Sequence, residues 1–118
     1  MTNEELEVYL RGLGWQIELL VGNDGMSYIV VRDYTIASGS LAGRVCDVAI
    51  QRTPAVPYIM PPVIHTRPAL VAMDMVTFHT QASSIGPEWQ YWSRALQGQA
   101  TPQRIVTHIA TTFAEVKE

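Results

Sequence analysis

The spacing of hydrophobic positions changes period at Trp15. Ahead of it, Leu6, Tyr9, Leu10 and Leu13 recur at the interval that places side chains on one face of a helix. Thr2 and Glu5 have capping-box spacing at its start, and Gly12 and Gly14 end it. From Trp15 the period is two. Trp15, Ile17, Leu19 and Val21 alternate with Gln16, Glu18 and Leu20, which predicts a strand with the first set inward. Gly22-Asn23-Asp24-Gly25 is a turn, so a second strand, Met26 to Arg32 and on through Tyr34 to Ile36, pairs antiparallel with the first. After a loop over 38–43, a third strand runs from Arg44 to Gln51. Its parity sets Cys46, Val48 and Ile50 on one face and Val45, Asp47 and Ala49 on the other.

The pattern then stops. Pro54, Pro57, Pro61 and Pro62 fall within nine residues, and a proline lacks a backbone donor and restricts the residue before it, so this run is an ordered apolar connector. Beyond it, Val63–Thr66 and Ala69–Met73 read as a fourth strand interrupted at Arg67-Pro68, and Val76–His79 as strand or loop. A flexible loop follows from Thr80 through QASSIG. Pro87 suits a first helical position and Glu88 its first turn, with Trp89, Trp92 and Leu96 on one helical face. Gln97-Gly98 breaks that helix. Thr101-Pro102 starts the last one, striped by Ile105, Ile109, Thr112 and Phe113. The expected class is α+β: an N-terminal helix, a four-stranded antiparallel meander, a proline-rich loop and two C-terminal helices.

Composition narrows the function. With 118 residues, 47% of them hydrophobic and 16% charged, residues 1–118 form one domain. A net charge of −3 and eight scattered basic residues leave no footprint for a phosphate backbone, so nucleic acid is not an expected partner. A lone cysteine excludes an internal disulfide and a four-cysteine metal site. The acidic N-terminus is unlike a signal peptide and no apolar run approaches the ~18 residues of a membrane span, so a cytoplasmic protein without membrane contact is expected.

Candidate chemistry is sparse. Cys46 reads as a core thiol, and a thiol in apolar surroundings is inert. His65, Asp74, His79 and His108 lack ligand spacing and lie on different elements, and the glycines form no phosphate cradle, so no metal or cofactor is expected. Trp89, Tyr91 and Trp92 read as packing residues, with an exposed aromatic anchor as the functional alternative.

The order of parts resembles the ubiquitin-conjugating (UBC) fold. The carriers are Pro57-Tyr58 and Pro61-Pro62 ahead of the fourth strand, Trp89, Trp92 and Ser93, and the TPQRIVTHIATTF segment, similar to that family's crossover helix. The block Gly86-Pro87-Glu88-Trp89-Gln90-Tyr91-Trp92-Ser93-Arg94 is similar to a bacterial branch, the prokaryotic UBC-like family E. The resemblance implies work in a ubiquitin-like conjugation pathway, with a ubiquitin-like protein or its activating enzyme as partner, and a link to antiphage defence. It also implies a thioester cysteine and, just before it, an asparagine from a His-Pro-Asn element. This chain has no cysteine after Cys46 and no asparagine after Asn23; the nearest echoes are His65-Thr66-Arg67-Pro68 and His79, and Ala95 stands where the branch has a histidine after Ser-Arg. The expectation is therefore an adaptor without the thioester cysteine, with Tyr58, Pro61, Pro62, Trp89, Trp92 and Arg94 as partner-binding residues. One alternative is a conjugating enzyme with a displaced or non-cysteine site built from His65, His79, Ser83 or Ser84. The other is a purely structural subunit of a larger complex.

Overall fold

A computed structural model of the chain describes residues 1–116. Helix α1 (Asn3–Gly12) opens with the Thr2 side chain accepting the Glu5 amide, and buries Leu6 and Leu10. Strands β1 (Gln16–Val21) and β2 (Ser27–Thr35) form the hairpin across Gly22–Gly25, in a register that pairs Leu20 with Tyr28. Strand β3 (Val45–Gln51) pairs with β2, and β4 (Val63–Arg67) with β3.

These four strands are adjacent in chain order, but the sheet continues. Strands β5 (Thr80–Ala82) and β6 (Gln90–Ser93) extend it to six, in the order β1-β2-β3-β4-β6-β5, every neighbouring pair antiparallel. Helix α2 (Pro102–Ala114) closes the fold. Thr101 caps it, proline starts it, and Ile105, Ile109, Thr112 and Phe113 are buried.

One face of the sheet carries the main core: Ile29, Val31, Cys46, Val48, Ile50, Ile64 and Trp92 pack with Leu6 and Leu10 of α1 and Ile105, Ile109 and Phe113 of α2. On the opposite, outer face a smaller cluster of Tyr28, Val30 and Ala49 is covered by Ile85 and Trp89, which belong to a strap over residues 83–89.

Three expectations are corrected. The WQYWSR block is strand, not helix, so α2 is the only helix after the proline run among the described residues. Trp89 and Trp92, three apart, would share a helical face; on extended backbone they point oppositely, Trp92 into the main core and Trp89 into the outer cluster. Hydrogen bonding to β4 decides for strand, because a helix there would leave the β4 edge unpaired. Secondly, the loop expected from Thr80 contains β5, and Ala69–Met73 is not strand. That segment is held instead by the buried Gln90 side chain, whose Oε1 accepts the Leu70 amide at 2.8 Å and whose Nε2 donates to the Val71 carbonyl at 2.8 Å. Thirdly, the expected inward face of β1 holds only in part: Trp15 and Ile17 pack against the main core, and the rest of the set does not. β1 is an edge strand in which Leu19 and Val21 are 51% and 67% exposed while Leu20 packs on the outer cluster.

A bulge shapes β2. Between the pairs Val31↔Val48 and Tyr34↔Cys46 it advances three residues while β3 advances two. The surplus shifts side-chain parity, so that Tyr34 packs against the main core where strict alternation would have sent Asp33. Asp33 takes φ 54°, and its amide donates to Asp47 Oδ1 at 3.0 Å.

The proline run is tied down at both ends. Tyr58 is buried; its amide donates to the Met1 carbonyl at 2.7 Å and its hydroxyl to the Gln51 carbonyl at 2.7 Å. The Pro62 carbonyl accepts the Arg94 amide at 2.9 Å, which joins the run to the end of β6.

Candidate functional site

Sheet register, not sequence proximity, assembles a polar cluster on the outer face. Ala49, His65 and Tyr91 lie side by side across β3, β4 and β6. The His65 ring stands edge-on to Tyr28 (centroids 5.3 Å apart) and to Tyr91 (5.8 Å). Its Nδ1 is 2.8 Å from Ser83 Oγ at the start of the strap. Ser83 Oγ also accepts the Ile85 amide at 3.1 Å, and which partner donates in its bond with Nδ1 depends on the His65 tautomer.

The neighbouring serine belongs to another centre. Ser84 donates to Asp24 Oδ2 at 2.8 Å, and the Tyr28 hydroxyl donates to the same oxygen. Asp24 Oδ1 accepts the Met26 amide at 2.9 Å. The GNDG hairpin therefore clamps the strap, and its Asn23 amide adds a bond to the Ile85 carbonyl at 2.8 Å. Gly22 suits this close crossing, since a Cβ there would come within 2.7 Å of Asp24 Oδ1 and 3.1 Å of Ile85 Cα and Tyr28 Cε2.

Electrostatics follow burial. Desolvation pushes His65 down to about 4, against the opposing pull of Asp24, so the imidazole is neutral near pH 7. Burial would raise Asp24, but the bonds from Tyr28, Met26 and Ser84 outweigh it and hold the carboxyl below its ordinary value. Burial, then the bond to Asp24, pushes Tyr28 up to about 12.

A prediction about acid stability follows. A histidine whose folded-state pKa lies below its unfolded value of 6.5 is protonated more readily in the unfolded chain, so stability falls as pH drops. The window runs from about 6.5 down to about 4, with a slope near 1.4 kcal/mol per pH unit and a total of about 3 kcal/mol. Asp24 is depressed and loses its contribution only below the ordinary carboxylate range, outside this window. Urea unfolding at pH 7, 5.5 and 4.5 should show this slope, and His65→Asn should flatten it; an unchanged slope in the variant would remove His65 as the cause.

Beside the cluster runs a charged ladder. Glu18, Arg32, Asp47 and Arg67 link β1 to β4 through ion pairs of 2.6, 3.2 and 2.9 Å, and the Arg67 guanidinium lies 4.5 Å over the Trp89 ring.

Of the expected catalytic candidates, the fold joins His65 to Ser83, and Ser84 to Asp24. His79 stands apart on the exposed turn before β5, with φ 56° and its carbonyl accepting the Ser93 amide at 2.8 Å. Of the six expected partner-binding residues, Tyr58, Trp89 and Trp92 are buried. Trp92 Nε1 donates to Thr66 Oγ1 at 3.0 Å inside the core. Pro61 and Arg94 are half-buried and Pro62 is exposed. Asp24 and Tyr28 escaped the sequence reading, and Tyr91 was read for packing or partner contact, not for a place beside His65, because Asp24 looked like a turn former and no spacing along the chain links positions 24, 28, 65, 83 and 91.

Cys46 lies inside the main core, 3% exposed, and burial together with the neighbouring Asp47 charge pushes its thiol up to about 12. Among the described residues no group of three or more His, Cys, Asp or Glu could hold a metal, and no helix is long and apolar enough to cross a membrane.

No curated protein and no solved structure matches the chain. One family model does, that of prokaryotic E2 family E, and it covers residues 3–118. An antiparallel sheet backed on one face by α1 and α2 is consistent with an E2-like fold, and because the match takes in nearly the whole sequence, the chain belongs to prokaryotic E2 family E.

Proposed function

We propose that this E2-family chain works without a thioester, as an adaptor that binds a ubiquitin-like protein or its activating enzyme in a bacterial conjugation pathway, in the setting of defence against phage. One observation carries the reading: the sequence's single thiol is enclosed in the core. Thioester transfer needs an exposed, ionised cysteine. With Cys46 pushed up to about 12, the thiolate fraction near pH 7 is on the order of one in 10⁵, and burial denies access even to that fraction.

The bond between His65 and Ser83 favours a second reading, in which the chain forms an ester. Ser83 Oγ would attack the activated acyl carbon of the carrier protein, its proton passing to His65 Nδ1 while the nucleotide or thiol departs. Two properties weigh against it. Burial makes His65 a weak base, and the Ser83 oxygen already accepts the Ile85 amide.

Mixing the purified protein with a bacterial ubiquitin-like protein and its activating enzyme, with and without nucleotide, separates the readings. The adaptor reading expects a complex on gel filtration and no covalent adduct. An adduct that survives reducing agent and disappears in the Ser83→Ala, Ser84→Ala double variant would transfer the function to the serine site. Absence of any complex and any adduct would overturn both.

A further inference from the structure

A sizeable cavity lies away from the polar cluster, on the far side of the fold. It is a trough of about 540 Å³ between the outer side of α2 and the chain leaving β6, within the range of volumes that hold ligands, roughly 300–1,000 Å³. Its length follows α2 from Gln103 to Glu115, about 18 Å of helix, which matches roughly five residues of extended peptide.

Charge identifies the occupant. Arg94 and Arg104 both line the trough, and neither belongs to the ion pairs formed among the described residues, which engage Arg32, Arg52 and Arg67. Arg94 is half-buried, with its guanidinium 5.5 Å over the Trp92 ring and Nη1 donating to the Ser93 carbonyl at 2.8 Å. Arg104 Nη1 reaches only the Gln97 carbonyl, at 3.5 Å. A guanidinium carries five N–H donors, so most are left for a ligand, and a half-desolvated cation with no carboxylate in ion-pair contact gains more from an anion than an exposed one does. Glu115 closes one end and its charge acts on Arg94, so the lining holds two cations against one anion in a chain of net charge −3. Leu96 and Ala95 supply the apolar part of its floor, beside Thr107 and Thr111.

We propose that this trough docks an extended acidic segment of a partner protein, in which carboxylates face Arg94 and Arg104 and aliphatic side chains cover the floor between them. The surface does not depend on whether the partner belongs to a conjugation pathway, and it contains neither His65 nor Ser83.

The probe is the capped peptide acetyl-Glu-Leu-Glu-Leu-Glu-amide, titrated into the isotope-labelled full chain, with the Gln-Leu-Gln-Leu-Gln peptide and inorganic phosphate as comparisons. Amide shifts are expected at 94–97 and along 103–115, with about tenfold weaker binding of the glutamine peptide, the ratio set by one charge-assisted hydrogen bond. Arg104→Gln should weaken the acidic peptide roughly five- to tenfold without moving the melting temperature, because Arg104 is exposed. Arg94→Gln should weaken it further. Equal binding of the two peptides, shifts confined to other surfaces, or no shifts would overturn the proposal. Phosphate acting on the same amides as strongly as the acidic peptide would overturn the peptide occupant in favour of a simple anion.

Discussion

Replacing Trp92 by alanine should cost about 3–5 kcal/mol, a large share of the about 5–15 kcal/mol that stabilises a domain of this size. Trp92 is 0% exposed, its ring meets Phe113 of α2 edge-on with centroids 5.5 Å apart, and Nε1 donates to Thr66 Oγ1 at 3.0 Å on β4. Truncation opens a cavity where β6, β4 and α2 converge and leaves the Thr66 hydroxyl without its buried donor. Trp92→Phe keeps most of the volume but loses the donor, so about 1–2 kcal/mol is expected. Urea midpoints measure both. A Trp92→Ala protein as stable as the parent would show that the ring does not hold β6, β4 and α2 together.

Asp47→Ala should be the next most damaging single change, at about 2–4 kcal/mol near pH 7. Asp47 is buried and receives the Asp33 amide at 3.0 Å, Arg32 Nε at 3.2 Å, and Arg67 Nε and Nη2 at 3.1 and 2.9 Å. Its loss releases two guanidiniums and removes the acceptor that holds Asp33 in its left-handed conformation. The pH dependence has a definite sign. Burial alone would raise Asp47, but the Asp33 amide and both arginines lower it below 3.8, so its contribution is present above that value and disappears as pH falls through the depressed one. The gap between parent and variant should therefore narrow below about pH 3.8. A cost below about 0.5 kcal/mol near neutral pH would show that the ladder adds nothing to stability.

Local rules carried the sequence reading as far as they apply. The helix over Leu6 and Leu10, the GNDG hairpin, the inward Cys46-Val48-Ile50 set and the stripe on α2 follow from period, caps and turns, and each is found. The Gly86–Arg94 block misled on form while pointing to the right family. It lies within the residues that match prokaryotic E2 family E, but two tryptophans three apart fit a helical face as well as opposite faces of a strand, and only the partner strand β4 decides. The bulge at Asp33 was hidden for a similar reason, because its cause is a carboxylate on the next strand. The polar cluster was the least legible part. His65 and Ser83 were visible as isolated candidates, whereas Asp24 and Tyr28 acquire meaning only once the hairpin folds over the strap.

The enclosure of Cys46 also has a practical consequence. A thiol that solvent cannot reach in the native state reacts with a labelling reagent only while the structure around β3 is open. Because no second cysteine competes for the reagent, the rate of modification reports one opening event, at the centre of the sheet. The chain thus carries its own clock for unfolding, readable under native conditions and sensitive to any ligand that stabilises the closed form.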